Sequence, residues 1–132
     1  MKTYQGSCHC KAIRLEAEID FAEDGTGKCN CTWCFKHRYW SVTIPPERFR
    51  AISEGPKLPE TGESALGMAC ARCGILTFAR TEPTEWSPEP RVAISVAALD
   101  GLDPAELLAA PVRYCDGLRD NWWSPPDEVR HL

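Results

Sequence analysis

The clearest alternation in the chain runs over residues 12–20. Ile13, Leu15, Ala17 and Ile19 fall on one face, and Arg14, Glu16, Glu18 and Asp20 on the other. A period of two with one apolar face predicts a strand that is covered on one side and wet on the other. Residues 91–98 repeat the pattern through Val92, Ile94 and Val96. Residues 39–44 are aromatic and β-branched and stop at Pro45-Pro46, which again predicts a strand. Shorter runs predict strands over 49–53, 65–69, 75–80 and 112–115. Asp24-Gly25-Thr26-Gly27 reads as a turn, and 55–63 and 81–90 as connections rich in Pro, Gly and Glu. One helix is expected. Asp103 is its N-cap, Pro104 its first residue, and it ends near Ala110.

Many short strands, eleven prolines and nine glycines define a mainly β class with one short helix. A length of 132 residues predicts a single domain spanning 1–132. Such a domain buries a modest core, so a structural metal would contribute usefully to its stability. The chain is 43% hydrophobic and 26% charged, as soluble globular proteins are. The formal net charge is −4, and thiolate-bound zinc would make it more negative. That excludes nonspecific nucleic-acid binding, which needs a basic surface. Residues 1–10 have no apolar core of a signal peptide, and no apolar run is long enough to span a bilayer. The expected setting is therefore reducing and cytoplasmic, where clustered thiols bind metal or do chemistry more often than they pair as disulfides. Phosphate-binding loops, nucleophile elbows and zinc-binding His-Glu-x-x-His helices are absent.

Seven of the eight cysteines form three clusters: Cys8-His9-Cys10, Cys29-Asn30-Cys31-Thr32-Trp33-Cys34 and Cys70-Ala71-Arg72-Cys73. Two pairs from distant parts of a chain complete a closed four-thiolate zinc site. Strand-forming residues follow Cys73, so the Cys-x-x-Cys pair reads as a zinc knuckle; a redox motif would open a helix. Gly74 fits the positive φ that a knuckle commonly needs. A structural metal of this kind contributes about 10–16 kcal/mol to the folding of small zinc domains. The group Cys29, Cys31 and Cys34 matches the other arrangement, three protein ligands and one open position. Two closed alternatives stand beside it, with Cys115 or with His37 as the fourth ligand. Trp33, Phe35, Tyr39 and Trp40 could wall a pocket there, and Lys36, His37 and Arg38 could hold a carboxylate. The same residues also suit a core and a solvated face. His9 and His131 carry no evident role.

The chain resembles the glutathione-dependent formaldehyde-activating family, which includes centromere protein V. The resemblance rests on Gly6-Ser7-Cys8-His9-Cys10-Lys11-Ala12-Ile13, on the Cys29, Cys31, Cys34 group, and on Cys70-Ala71-Arg72-Cys73-Gly74-Ile75. Ala97-Ala98-Leu99-Asp100, Pro111 and Trp122 are counterparts of later family features. The resemblance implies an Mss4-like fold of small β-sheets stapled by zinc. It implies a structural zinc on Cys8, Cys10, Cys70 and Cys73, and a labile, catalytic zinc on Cys29, Cys31 and Cys34. It implies carbon–sulfur lyase chemistry in which glutathione adds to formaldehyde to give S-hydroxymethylglutathione. The substrate thiol would be activated as a fourth zinc ligand. The family commonly has Cys-His-Cys-Ser-x-Cys at the second cluster and a small Gly-Ser after it. Here Asn30, Thr32 and the bulkier His37-Arg38-Tyr39-Trp40-Ser41 stand instead, which places the substrate question at Asn30 and at 33–40. Arg38, Tyr39 and Tyr114 are candidate proton donors. The competing class is a non-enzymatic module with two closed zinc sites that binds proteins through exposed aromatics. The oligomeric state is left open.

Overall fold

Two antiparallel-rich sheets share one core. The computed structural model describes residues 1–58 and 69–132. The smaller sheet contains β1 (Lys2–Ser7), β2 (Ile13–Ile19) and β5 (Phe49–Glu54) in the order β1-β2-β5. The larger has the order β6-β7-β4-β3-β8, from β3 (Thr26–Cys29), β4 (Trp40–Ile44), β6 (Phe78–Thr81), β7 (Arg91–Ser95) and β8 (Val112–Cys115). Among the described residues the strand pairs are antiparallel except β3 with β8, which run parallel and align Cys29 with Cys115.

The alternation of 12–20 becomes β2. Ile13, Leu15, Ala17 and Ile19 are buried, and Arg14 and Glu18 are exposed. These four meet Val42, Ile44, Phe78, Val92, Ile94 and Val96 from the larger sheet in one core. Burying such side chains contributes about 1.5–3 kcal/mol each. Arg48, just before β5, pairs with Asp24. Its guanidinium donates to both carboxylate oxygens of Asp24, at 2.6 and 3.1 Å.

The mainly β class stands, with two short helices among the described residues beyond the one the sequence predicts. Helix α3 (Pro104–Ala109) is the expected one, with Asp103 and Glu106 forming a capping box. Helix α1 (Phe21–Asp24) is a single turn capped by Asp20, where the sequence suggests only a turn from Asp24 onward. Helix α2 (Thr32–His37) grows out of the second cysteine cluster. Its six residues are too few to display an apolar period, and its cap is a thiol: Cys31 Sγ accepts from the Cys34 amide at 3.4 Å. Strand β1 is half-exposed and polar, which conceals it from pattern reading. The predicted strand at 65–69 lies almost wholly outside the described residues. The strand expected over 75–80 is regular only as β6, with Leu76 held by an isolated bridge to Ala69. The expected strand at 91–98 ends at Ser95, where a 3-10 turn over Val96–Ala98 begins. Among the described residues, no helix is long and apolar enough to cross a membrane.

Candidate metal centres

The turn from β1 to β2 carries Cys8 and Cys10. Cys8 N–H donates to Ile13 O at 3.0 Å, Lys11 N–H returns to Cys8 O, and Lys11 takes a left-handed φ of 64°. This tight knuckle brings the two thiols to one side, Cys8 buried and Cys10 exposed. The second knuckle has the same construction. Cys70 N–H donates to Ile75 O, Gly74 N–H donates to Cys70 O at 2.8 Å, and Gly74 has a φ of 77°. The four sulfurs of Cys8, Cys10, Cys70 and Cys73 all lie within 4.8 Å of one another. Cys8 and Cys10 are 3.7 Å apart, and Cys10 and Cys70 3.6 Å. A tetrahedral zinc–thiolate site with bonds of about 2.3 Å has sulfur–sulfur edges of about 3.8 Å. The donor set and its spacing therefore fit zinc.

Electrostatics around this centre are divided. Main-chain N–H groups of Cys10 and Ile75 pull the Cys73 thiol down to about 6. The N–H of Ala12 also pulls on Cys10, but desolvation and the neighbouring thiols outweigh it and carry Cys10 up to about 11. Four sulfurs cannot all ionise together without a cation among them. All eight cysteines are free thiols, so the disulfide alternative is not realised.

Cys29 ends β3, and Cys31 and Cys34 bracket the first turn of α2. Their sulfurs form the second group, also within 4.8 Å of one another. Neither proposed fourth ligand joins it. Cys115 neighbours Cys29 on the adjoining strand, but it lines a separate cleft with Gly27, Ser41, Thr43 and Arg113. His37 is exposed and its ring packs on Trp33, centroids 4.3 Å apart. Among the described residues this is a three-thiol group. Burial raises the Cys29 and Cys34 thiols, and the adjacent thiols raise them further. A soft cation would relieve that repulsion by displacing the protons.

A small cleft opens beside these sulfurs. Cys29 and Cys34 line it together with the rings of Phe35 and Tyr39, the cations Lys28 and Arg38, and Leu132. Two of the three candidate proton donors, Arg38 and Tyr39, are thus brought to the site, whereas Tyr114 is not among the residues lining it. Tyr39 is buried and packs edge-on against Trp33. Burial first, then the charge of Cys34, pushes its hydroxyl well above the ordinary phenol range.

Asn30 is not a pocket residue. It is buried, donates from Nδ2 to Asp116 Oδ1 at 2.8 Å, and accepts from the Leu118 amide at 3.1 Å. It fastens the cysteine loop to the turn after β8. Gly117 in that turn is a site residue that pattern reading misses. A Cβ there would sit 2.7 Å from Cys29 Sγ and 2.9 Å from Cys31 Cβ. The dipeptide Asp116-Gly117 signals a turn, but nothing local signals that it presses on a thiol.

A small β protein with one four-thiol and one three-thiol centre is what the fold and geometry define. The sequence model of the family described as "Glutathione-dependent formaldehyde-activating enzyme" matches residues 3–113, and the chain belongs to that family. The crystal structure of a Rhodobacter sphaeroides protein is similar, with a TM-score of 0.62 and 26% identity, covering 83% of this chain and 99% of that one. No curated protein matches the chain.

Proposed function

We propose that Cys29, Cys31 and Cys34 hold a zinc ion with a fourth position open to a small thiol, and that the protein joins this thiol to an aldehyde. Glutathione and formaldehyde are the pair the family description suggests, and S-hydroxymethylglutathione would be the product of this carbon–sulfur lyase-type reaction. The observation that carries the reading is the three-thiol group from which both Cys115 and His37 stand apart. The four-thiol centre on Cys8, Cys10, Cys70 and Cys73 is the structural one, stapling a single domain over 1–132.

Zinc bound at the open centre supplies a position where a thiol is held as its thiolate, the nucleophilic form. The chain's own residues do the rest. The buried Cys34 and half-buried Cys29 place the sulfur against the wall of the cleft, and the rings of Phe35 and Tyr39 limit water there. As the carbon–sulfur bond forms, the carbonyl oxygen takes a proton. Tyr39, which lines the cleft, is the donor in this reading, and it takes up in turn the proton that the thiol released.

Metal analysis with stepwise chelation tests it. Two zincs per chain are expected, one removed by a mild chelator and protected by added glutathione. NMR exchange between formaldehyde, glutathione and their adduct should accelerate only with both metals present. Two equally resistant metals and no acceleration would favour the interaction-module reading. A specific feature supports that alternative: Trp86 and Trp123 are 74% and 73% exposed and share a cleft with Trp122.

A further inference from the structure

The cleft beside the three-thiol centre is bordered on one side by Leu132, and two of its cations hold the main chain there. Arg38 Nη1 donates to the main-chain oxygen of His131 at 2.8 Å. Lys28 Nζ donates to the main-chain oxygen of Leu132 at 3.0 Å. The side chains around these contacts hold them in place. The Lys28 ammonium lies over the Trp40 ring at 5.0 Å, and the Arg38 guanidinium over the Phe35 ring at 5.3 Å. Phe35 also meets the His131 ring at 5.8 Å. Arg38 caps α2 in the left-handed region, at φ 54°. A bulky residue is uncommon there, and such conformations cluster at functional sites.

Two cations a few residues from two of the three thiols, donating to the main-chain oxygens of successive residues, describe a receptor for a short peptide-like acceptor. We propose that Lys28 and Arg38 bind the carboxylate or amide oxygens of a peptidic thiol whose sulfur reaches the Cys29, Cys31, Cys34 centre, and that residues 131–132 occupy its place in the free protein. This rests on the thiol-binding reading above and adds to it the two residues that select the thiol and the segment that competes with it. The Arg38 guanidinium offers a planar fork of donors, and Lys28 offers a compact ammonium. A neutral thiol without a carboxylate engages neither. The ligand's oxygens and the 131–132 segment share the same donors, so binding one releases the other.

The test uses the full chain loaded with cobalt(II), whose thiolate absorption reports a new sulfur ligand. Glutathione and 2-mercaptoethanol are titrated against the unmodified protein, Lys28→Gln and Arg38→Asn, the last chosen because Asn tolerates the left-handed backbone. Loss of one charge-assisted contact should weaken glutathione roughly tenfold in each variant and leave 2-mercaptoethanol unchanged. In the unmodified protein, hydrogen exchange over 129–132 should quicken when glutathione saturates and stay constant with 2-mercaptoethanol. Equal weakening of both thiols, undiminished glutathione affinity in both variants, or unaltered exchange of 129–132 overturns the inference while leaving the thiol-binding reading intact. A cobalt spectrum that neither thiol perturbs in the unmodified protein overturns both.

Discussion

Gly117 presses directly on the three-thiol centre, so a single methyl group there should loosen one metal and spare the other. In Gly117→Ala the new Cβ meets Cys29 Sγ at 2.7 Å, the Trp122 ring at 2.8 Å and Cys31 Cβ at 2.9 Å. Contacts this short force either the turn or the thiols to move. The Trp122 ring can give way, because it is 44% exposed. The two cysteines cannot move far, because Cys29 ends a paired strand and Cys31 caps α2. Overpacking of this kind costs about 1–3 kcal/mol. If that strain falls on the metal-binding geometry, affinity drops roughly 5- to 150-fold, since about 1.4 kcal/mol is tenfold. Chelator competition monitored by a chromogenic zinc indicator resolves the two metals by their release. The more labile zinc should leave Gly117→Ala at correspondingly lower chelator concentration, and the tighter zinc should leave at the same concentration as before. Unchanged release of the labile metal, or equal weakening of both, would refute the placement of Gly117 against the centre.

The two centres should also differ under direct attack. Cys31→Ala is expected to keep the far-ultraviolet circular dichroism of the parent and bind one zinc, whereas Cys73→Ala should lose the folded spectrum, because metal affinity at a closed site is folding free energy. A folded Cys73→Ala would contradict the structural role. Asn30→Ala leaves the buried Asp116 without its 2.8 Å donor, which should lower urea stability by about 1–3 kcal/mol. Arg48→Met should cost about 1–2 kcal/mol at neutral pH, the range for a charge-assisted pair that is partly screened. Burial alone would raise the Asp24 carboxyl, but hydrogen bonds from Arg48 overcome this and hold it below the ordinary carboxylate value. The stabilisation is therefore present above that value and lost as pH falls through the depressed one. The urea midpoints of Arg48→Met and the parent should accordingly converge in acid. Metal uptake at Cys29, Cys31 and Cys34 should strengthen as pH rises through neutrality, because the raised thiols must release protons.

Features written in local pattern are legible in the order of residues alone. The β2 alternation, the capped α3 and the three local cysteine clusters all follow from spacing, because each depends on neighbours a few residues away. What pattern could not reveal depends on distant partners. β1 is polar and gains its identity only by pairing with β2. β3 is a four-residue strand that reads as a turn because its glycine sits between β4 and a parallel β8. Asn30 looks like a pocket substitution in the sequence; only Asp116, 86 positions away, makes it structural. The contacts of Lys28 and Arg38 with 131–132 span still larger separations.

The two centres draw on different lengths of chain, and this sets an order of assembly. The first joins Cys10 to Cys70, 60 positions apart, so every ligand it needs has been synthesised once residue 73 emerges. The second has its three ligands by residue 34, yet its surroundings come much later. Gly117 supports Cys29, Asp116 anchors Asn30, and residues 131–132 close over Lys28 and Arg38. On a growing chain, a metal at the first centre can fasten the two sheets while the second remains an exposed trio of thiols. The three-thiol centre is then finished last, when the scaffold around it is complete.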